Sequence, residues 1–200
     1  MQLNDNLMFA RTFLRSPKML GSVIPSSRFL ISHLLRHFDW KKANVVVEYG
    51  PGVGTITREM LRSMSSDAKL LAIESNHDLA AHLKQNVDDP RLHTRLTSAA
   101  NVRKALNGLK LDGADYVISG IPFSTIPRKE RLTILRNTWK SLNPGGVFLV
   151  YQFSGAVLPS LEEVFGPVRQ EFELRNVLPA RIFRCEKNGL TNHREKNGQP

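Results

Sequence analysis

The chain has 200 residues, which allows one well-cored domain, and it contains no apolar run long enough to span a membrane. Its single cysteine, Cys185, excludes an internal disulfide, and no secretory leader is evident, so we expect a cytoplasmic protein. The net charge of +10 lies mainly in residues 1–42 and 101–140, which indicates an anionic partner, either a membrane or a nucleic acid, or only a soluble basic surface.

The first predicted element is an amphipathic helix over residues 3–15. At 100° per residue its apolar side chains share about 160° of arc, and they are Leu3, Leu7, Phe9, Ala10, Phe13 and Leu14. We interpret residues 1–24 as a membrane-binding or lid segment. The side chains expected to contact an anionic bilayer interface are Phe9, Arg11, Phe13, Arg15 and Lys18. The alternative is a helix that packs its apolar face on the domain itself.

Two histidines follow on the next predicted helix. His33 and His37 are four residues apart and therefore lie on one helix face. This spacing can bind a metal ion, but no third ligand is evident near them in the sequence. We therefore interpret them as a surface pair on a basic helix and predict no metal site.

Strand and helix patterns alternate through the rest of the chain. Apolar runs predict five strands separated by helices, at residues 45–49, 69–73, 92–96, 115–119 and 147–153. This alternation indicates a parallel sheet with right-handed crossovers. Two further strands, near 170–177 and 181–186, leave no room for a helix between them and should form an antiparallel edge. We therefore predict a three-layer, Rossmann-like α/β fold with a seven-stranded, mostly parallel sheet over residues 25–187, and a disordered tail over 188–200.

A glycine loop, EYGPGVG, leaves the first predicted strand and enters a helix that begins near Thr55. Gly50, Gly52 and Gly54 allow the backbone to turn tightly and to approach a ligand at the carboxyl end of the sheet. The third glycine comes one residue too early for the dinucleotide loop G-x-G-x-x-G, and there is no G-x-x-x-x-G-K-[ST] motif. The spacing therefore argues against NAD and against nucleoside triphosphates.

Glu74 ends the second predicted strand, twenty residues after Gly54. A carboxylate at that place can accept hydrogen bonds from the two hydroxyls of a ribose, and each bond contributes roughly 1.5–3 kcal/mol. The alternative is an ordinary surface acid at a strand end, and the glycine loop that precedes Glu74 makes this interpretation the weaker one.

The motif E-Y-G-P-G-V-G resembles that of the seven-stranded, S-adenosylmethionine-dependent methyltransferases, and the resemblance extends over most of residues 25–187. It implies S-adenosylmethionine as the cofactor, with Glu74 at its ribose. The cofactor-binding positions that the resemblance implies are Glu48, Gly50, Gly52, Gly54, Thr55, Glu74, Ser75, Ser98, Ala99 and Ser119. The triplet SAA at 98–100 lacks an acid that the family often has there, so backbone groups would have to contact the adenine amine.

The fourth predicted strand ends in SGIPF, which resembles the N-x-P-[YF] motif of enzymes that methylate the exocyclic amine of adenine. Gly120 stands where those enzymes have an asparagine, and it offers no side-chain oxygen to the base amine. Pro122 and Phe123 match the motif, and Phe123 is expected to stack on a base or to cover an alkyl chain. The alternative is a rigid turn with a packed phenylalanine.

Three stretches are more similar to the small bacterial phospholipid N-methyltransferases, relatives of the rRNA adenine dimethylases: residues 13–30, residues 117–123, and residues 151–155 together with 176–183. This resemblance implies methylation of the phosphatidylethanolamine amine towards phosphatidylcholine, at the inner face of the plasma membrane. Anionic lipids are the expected partners, nucleic acid is not, and we expect a monomer in solution.

Polar groups at the end of the fifth predicted strand are expected to orient the amine. They are Tyr151, Gln152 and Ser154, with Tyr151 as a candidate base. The candidate catalytic set is Gly120, Pro122, Phe123, Tyr151 and Gln152.

Two other functions stay open at this point. The basic zones also suit an RNA or DNA adenine N6-methyltransferase. Two features argue against this function. Gly120 replaces the asparagine of the motif, and we expect no counterpart here of the helical C-terminal domain of the dimethylases. The second alternative is a non-catalytic, cofactor-binding membrane protein, which would keep the glycine loop and show no turnover on any acceptor.

Overall fold

The computed structural model describes residues 26–176 and 178–187. The predictions for the N-terminal segment 1–24 and for the tail 188–200 lie outside the described residues. The same holds for the predicted membrane-binding side chains Phe9, Arg11, Phe13, Arg15 and Lys18. Within the described ranges, no helix combines the length and the apolar character that crossing a bilayer requires.

Seven strands alternate with six helices in the described part of the chain. The strands are β1 (Val45–Tyr49), β2 (Lys69–Glu74), β3 (Leu92–Leu96), β4 (Ala114–Ser119), β5 (Leu142–Gln152), β6 (Arg169–Glu173) and β7 (Ala180–Glu186). The helices are α1 (Arg28–Leu35), α2 (Thr55–Ser63), α3 (His77–Asn86), α4 (Val102–Asn107), α5 (Arg128–Ser141) and α6 (Leu158–Phe165). Short 3₁₀ turns occupy Ala99–Asn101 and Phe123–Thr125.

All strands belong to one sheet in the order β3-β2-β1-β4-β5-β7-β6. β1 to β5 pair in parallel, whereas β7 is antiparallel to both of its neighbours, β5 and β6. This arrangement confirms the predicted Rossmann-like fold with a mostly parallel, seven-stranded sheet and an antiparallel edge. The last described strand, β7, is inserted beside β5, so β6 is the edge strand of the sheet that the described residues form.

The start of β5 differs from the prediction. β5 begins at Leu142, because Leu142 pairs with Ala114 of β4 before a register shift leads to the pairing of Val147 with Tyr116. The stretch NPGG, residues 143–146, therefore forms an irregular first part of the strand. Gly145 adopts a left-handed φ of 75° there, a conformation that favours glycine.

Two apolar layers cover the two faces of the sheet. Alternate residues of β1 point to opposite sides: Val47 packs in a cluster with α4, α5 and α6, and Val46 packs in a cluster with α1 and α2. α5 turns an apolar face to the sheet, since Leu132 and Leu135 are buried and Trp139 packs against the same cluster. The two helical layers hold the strand ends, and the loops that leave them, in fixed positions.

Glu48 is a buried acid on β1, only 3% exposed, and it lies two residues before the glycine loop. The Thr57 hydroxyl of α2 donates a hydrogen bond of 2.6 Å to its carboxylate. Burial raises the pKa of Glu48, the Thr57 hydrogen bond opposes this rise, and the nearby Glu74 carboxylate adds to it. The net result is a pKa of about 7. The folded domain therefore disfavours the charged form of Glu48.

We expect Glu48→Gln to stabilise the cofactor-free protein at pH 8 and to have little effect at pH 5. The pKa of Glu48 rises on folding from 4.5 to about 7, so its contribution to stability is full below pH 4.5 and is lost as the pH rises through 7. The gain in the free energy of unfolding should grow from below about 1 kcal/mol at pH 5 to roughly 3 kcal/mol at pH 8.

Urea unfolding of both proteins across this pH range measures the effect. The exposed Glu59 of α2 offers a matched control, since Glu59→Gln should leave the pH dependence as it is in the parent. Parallel stability curves for Glu48→Gln and the parent would contradict the raised pKa.

Candidate active site

A cavity of about 390 Å³ lies at the carboxyl ends of β1, β2, β3 and β4. Loops that leave these four strands line it, which is the place where parallel sheets bind ligands. The cavity brings together eight of the predicted site residues, namely Gly50, Gly52, Glu74, Ser75, Ser98, Ala99, Gly120 and Pro122. Motifs that are up to 72 residues apart in the chain, from Gly50 to Pro122, thus form one site.

Two positions of the loop, 52 and 54, favour glycine for different structural reasons. Gly52 has a φ of 58°, and no atom lies within 4 Å of the place where a Cβ would be. Its backbone therefore borders open space in the cavity. Gly54 has a φ of 83° and caps α2, and a Cβ there would be 2.5 Å from Leu83 Cδ1 of α3. Gly54 does not line the cavity; it allows α2 and α3 to pack closely.

Glu74 is the last residue of β2, and its side chain is 4% exposed. One carboxylate oxygen accepts a hydrogen bond from the Gly52 amide at 3.3 Å, and the other accepts from the Asn76 amide at 2.9 Å. Burial raises the pKa of Glu74 against the effect of these backbone bonds. Each oxygen can accept one more hydrogen bond. The carboxylate can therefore accept hydrogen bonds from two adjacent ribose hydroxyls.

Three predicted cofactor residues support the site from behind and do not line the cavity. Thr55 begins α2, and Glu48 is held by Thr57 as described above. Ser119 is fully buried at the end of β4, and its hydroxyl accepts a hydrogen bond of 3.4 Å from the Ile121 amide. Direct contact of these three with the cofactor, as the resemblance implied, stays a prediction, and in this structure they support the loops that line the cavity.

The predicted acceptor residues Phe123 and Gln152 are also turned away from the cavity. Phe123 is fully buried and packs edge-on against Phe148, with ring centroids 6.4 Å apart. The expectation that its ring stacks on a substrate is therefore wrong, and the alternative of a packed phenylalanine holds. Gln152 is 8% exposed, and its amide nitrogen donates to the Ser154 carbonyl at 2.6 Å.

Tyr151 explains why position 120 is a glycine. A Cβ on Gly120 would lie 2.2 Å from the Tyr151 hydroxyl oxygen and 2.7 Å from Cζ, so the tyrosine fills the space that a side chain would need. Burial raises the pKa of Tyr151, and the nearby Glu48 carboxylate adds to this effect. A neutral hydroxyl therefore stands beside Gly120, and this corrects the prediction of Tyr151 as a base.

Sequence reasoning missed one wall of the cavity. Ile121, Ile126 and Ile134 line it together with Glu130, an exposed carboxylate in the first turn of α5. Acids are common in the first turn of a helix because they interact favourably with the helix dipole, so the residues PRKE gave no sign of a site. Val53, Ile73, Leu79 and Thr97 complete the lining.

Comparison with known proteins identifies the family to which this domain belongs. Residues 46–146 match the model of the methyltransferase domain family. The chain is similar to the ornithine lipid N-methyltransferase of Singulisphaera acidiphila, with 25% identity over 185 residues, which are 92% of this chain and 96% of that protein. It is 30% identical over 135 residues to ribosomal RNA small subunit methyltransferase A of Mycoplasmopsis synoviae, which covers 68% of this chain and 48% of that enzyme.

Among solved structures, the fold is similar to that of precorrin-6y C5,15-methyltransferase from Geobacter metallireducens. The TM-score is 0.63 at 14% identity, over 81% of this chain and 93% of that one. S-adenosylmethionine is the cofactor, and the site fits it because Glu74 presents buried acceptor oxygens where the Gly52 backbone borders open space. Since the matched range contains the glycine loop, Glu74 and the end of β4, the chain belongs to the methyltransferase domain family and is an S-adenosylmethionine-dependent methyltransferase.

Proposed function

We propose that this enzyme methylates the primary amine of a membrane lipid head group, with phosphatidylethanolamine as the acceptor and phosphatidylcholine as the final product. The observation that carries the proposal is the cavity wall at the end of β4, where the Glu130 carboxylate stands beside three isoleucines. The similarity to an ornithine lipid N-methyltransferase over 96% of that protein supports an amine lipid as the acceptor class.

The wall suits a cationic head group that is joined to apolar chains. A primary amine is an ammonium ion at neutral pH, and the Glu130 carboxylate attracts it. Ile121, Ile126 and Ile134 offer apolar contact to the carbon atoms that follow the amine. Because Glu130 is exposed to solvent, it can hold the ammonium at the rim of the cavity while a proton leaves to water.

The loops after β1, β2 and β3 form the cofactor side of the cavity, whereas the wall of Glu130 and the isoleucines follows β4. Glu74 would accept hydrogen bonds from the ribose hydroxyls, the Gly52 region would border the methionine part, and Ser98 and Ala99 would lie beside the adenine. The bound cofactor supplies an electrophilic methyl group on a positively charged sulfur. The chain's own contribution is to position the amine nitrogen, once it is neutral, and to exclude water from the apolar cavity.

The structure gives a physical argument against adenine as the acceptor. Recognition of the base amine in the resembling motif uses a side-chain oxygen at the position of Gly120. Here the Tyr151 hydroxyl occupies that space, 2.2 Å from where a Cβ would be, so no side chain fits without displacing it. The match to the ribosomal RNA enzyme therefore supports shared ancestry of the domain more than a shared acceptor.

We further propose that residues 1–24 attach the enzyme reversibly to the inner face of the plasma membrane as a monomer. The point where this segment joins the domain is fixed, since the Ser27 amide donates a hydrogen bond of 2.9 Å to Asn176. Leu174 and Leu178, close to Asn176 in the connection between β6 and β7, are 72% and 46% exposed. These apolar side chains would add to the contact with an interface next to the segment.

We expect Glu74→Ala to weaken S-adenosylmethionine binding about ten- to a hundredfold, or roughly 1.5–3 kcal/mol, because charge-assisted hydrogen bonding to the ribose is lost. Calorimetry measures the affinity, and Glu59→Ala, at an exposed acid of α2, is the matched control. Glu74→Ala also removes the acceptor of the Gly52 and Asn76 amides, so urea unfolding of the free variant is measured alongside to show that it remains folded. An unchanged affinity would remove Glu74 from the site.

We expect the purified enzyme to transfer labelled methyl groups to phosphatidylethanolamine in vesicles and to leave RNA and DNA unlabelled. Vesicles with ornithine lipid in place of phosphatidylethanolamine form a second arm, and free ethanolamine forms a third. Label only in ornithine lipid would keep the acceptor class and correct the head group, whereas label only in adenine would overturn the proposal.

The role of Glu130 is tested in the same assay. Glu130→Gln should raise the KM for the amine lipid several-fold and leave the affinity for S-adenosylmethionine unchanged, because the ammonium loses its carboxylate partner. Glu162→Gln, at an exposed acid of α6 outside the cavity, is the matched control. Equal kinetics in both variants would exclude Glu130 from acceptor binding.

We expect membrane binding to need anionic lipid and to fall with salt, since surface charges are screened over about 8–10 Å at physiological ionic strength. Replacing Arg11, Arg15 and Lys18 with Glu should abolish sedimentation with anionic vesicles, whereas Glu at the exposed Lys41, Lys42 and Lys110 should change it little. The double variant Phe9→Ala, Phe13→Ala should bind less at every salt concentration. If the first variant still sediments like the parent, the segment is not the anchor.

A further inference from the structure

We propose that His33, His37 and Glu171 form a binding site for one divalent transition-metal ion, with Zn²⁺ as the ion that their chemistry favours. The three candidate ligand atoms lie within 4.8 Å of one another. Two imidazoles and one carboxylate, with a fourth position left for water, are a donor set that zinc accepts. None of the three residues lines the cofactor cavity, so this site is distinct from the site of methyl transfer.

The site joins elements that are far apart in the sequence. His33 lies in α1 and His37 in the turn that follows it, and their rings stack with centroids 5.9 Å from each other. The edge strand β6 brings Glu171 against this helix face. One carboxylate oxygen of Glu171 is 2.8 Å from His33 Nε2, and the other is 3.7 Å from His37 Nε2. Glu171 is the third ligand that the sequence around the histidines did not reveal.

A second carboxylate fixes His33 in the orientation that metal binding needs. Its Nδ1 is 3.0 Å from Glu173, which in turn accepts hydrogen bonds from the Arg175 amide at 2.9 Å and the Arg175 Nε at 3.1 Å. Because the Glu173 carboxylate can only accept, His33 Nδ1 donates, which leaves Nε2 as the ring nitrogen that can bind a metal ion. Metal-binding histidines are commonly held by a carboxylate in this way.

The His33 lone pair then faces the Glu171 carboxylate, and two acceptors at 2.8 Å repel each other unless a cation or a proton lies between them. The guanidinium of Arg36 supplies the positive charge in this structure. Its NH2 nitrogen is 2.7 Å from His33 Nε2 and 2.6 Å from the same Glu171 oxygen. The side chain of Arg36 is 60% exposed, so it can turn out to solvent and leave its place to a metal ion.

His37 gives an independent indication of a ligand. Its side chain is only 9% exposed, and its Nε2 has no hydrogen-bond partner among the described residues. The distance of 3.7 Å to Glu171 is too long for a hydrogen bond. Buried polar atoms without a partner are rare, and a metal ion between His37 and Glu171 would satisfy this one.

The ion would connect α1 to the edge of the sheet. α1 is the first described helix and follows directly on the segment that we assign to the membrane, while β6 has a sheet neighbour on one side only. Zinc would therefore strengthen the attachment of α1 to the domain by binding ligands from both elements. The proposal does not depend on the identity of the methyl acceptor.

The test uses the full chain, stripped of metal with a chelator and titrated with Zn²⁺ in a calorimeter. We expect one ion per chain at this site and a higher melting temperature with Zn²⁺. His37→Ala and Glu171→Gln should each weaken binding at least tenfold, because each removes one of three protein ligands. His82→Ala, which removes a half-exposed histidine of α3 far from this cluster in the sequence, should bind like the parent. His37 serves better than His33, whose hydrogen bonds also support the fold.

Arg36→Ala distinguishes a metal site from a network of ion pairs. It should tighten Zn²⁺ binding, because it removes the cation that competes for His33 and Glu171. In a network without metal, the same variant would only lower stability, to the same extent with and without Zn²⁺. The proposal is overturned if no ion binds, if His37→Ala and Glu171→Gln bind like the parent, or if Arg36→Ala binds more weakly.

Discussion

The parallel pairing of β1 with both β2 and β4 is the constraint on which the active site depends. The Gly50 amide donates to the Ile73 carbonyl at 2.9 Å, and the Gly120 amide donates to the Tyr49 carbonyl at 3.1 Å, so the ladders continue to the point where each strand ends. Parallel strands end at the same edge of the sheet. The glycine loop, Glu74 and the turn after β4 are therefore neighbours, although separate parts of the chain supply them.

Buried charge at this edge connects stability to function. Glu48 and Glu74 are both nearly inaccessible, and burial raises the pKa of each. The Glu74 carboxylate also raises the pKa of Glu48, which is held by the Thr57 hydroxyl. The domain without ligand thus carries acids that would be more stable in water. A ligand that donates hydrogen bonds to Glu74 and brings a positive charge offsets part of this cost, so cofactor binding and folding stability are coupled.

On the side of the cavity that we assign to the acceptor, the Tyr151 side chain occupies the space that a side chain at position 120 would need. A glycine at position 120 is required by the tyrosine hydroxyl, and the hydroxyl remains neutral because it is buried. The polar group that faces the rest of the acceptor wall is then Glu130, with isoleucines around it. This combination supports our proposal that the acceptor is an amine on an apolar carrier, since a flat base would need a hydrogen-bond acceptor at position 120.

Local patterns in the sequence determined the seven strands, the helix faces, the glycine loop and the strand-end position of Glu74, because alternation and helical periodicity report which face of an element is buried. Only the tertiary structure decided which distant residues meet. Phe123 turned into the core, Tyr151 came to fill the space beside Gly120, and Glu130 reached the cavity from the first turn of α5. The insertion of β7 beside β5 placed β6 at the edge of the described sheet and brought Glu171 to His33 and His37. Sheet order and register set these contacts, and no pattern within a single element encodes them.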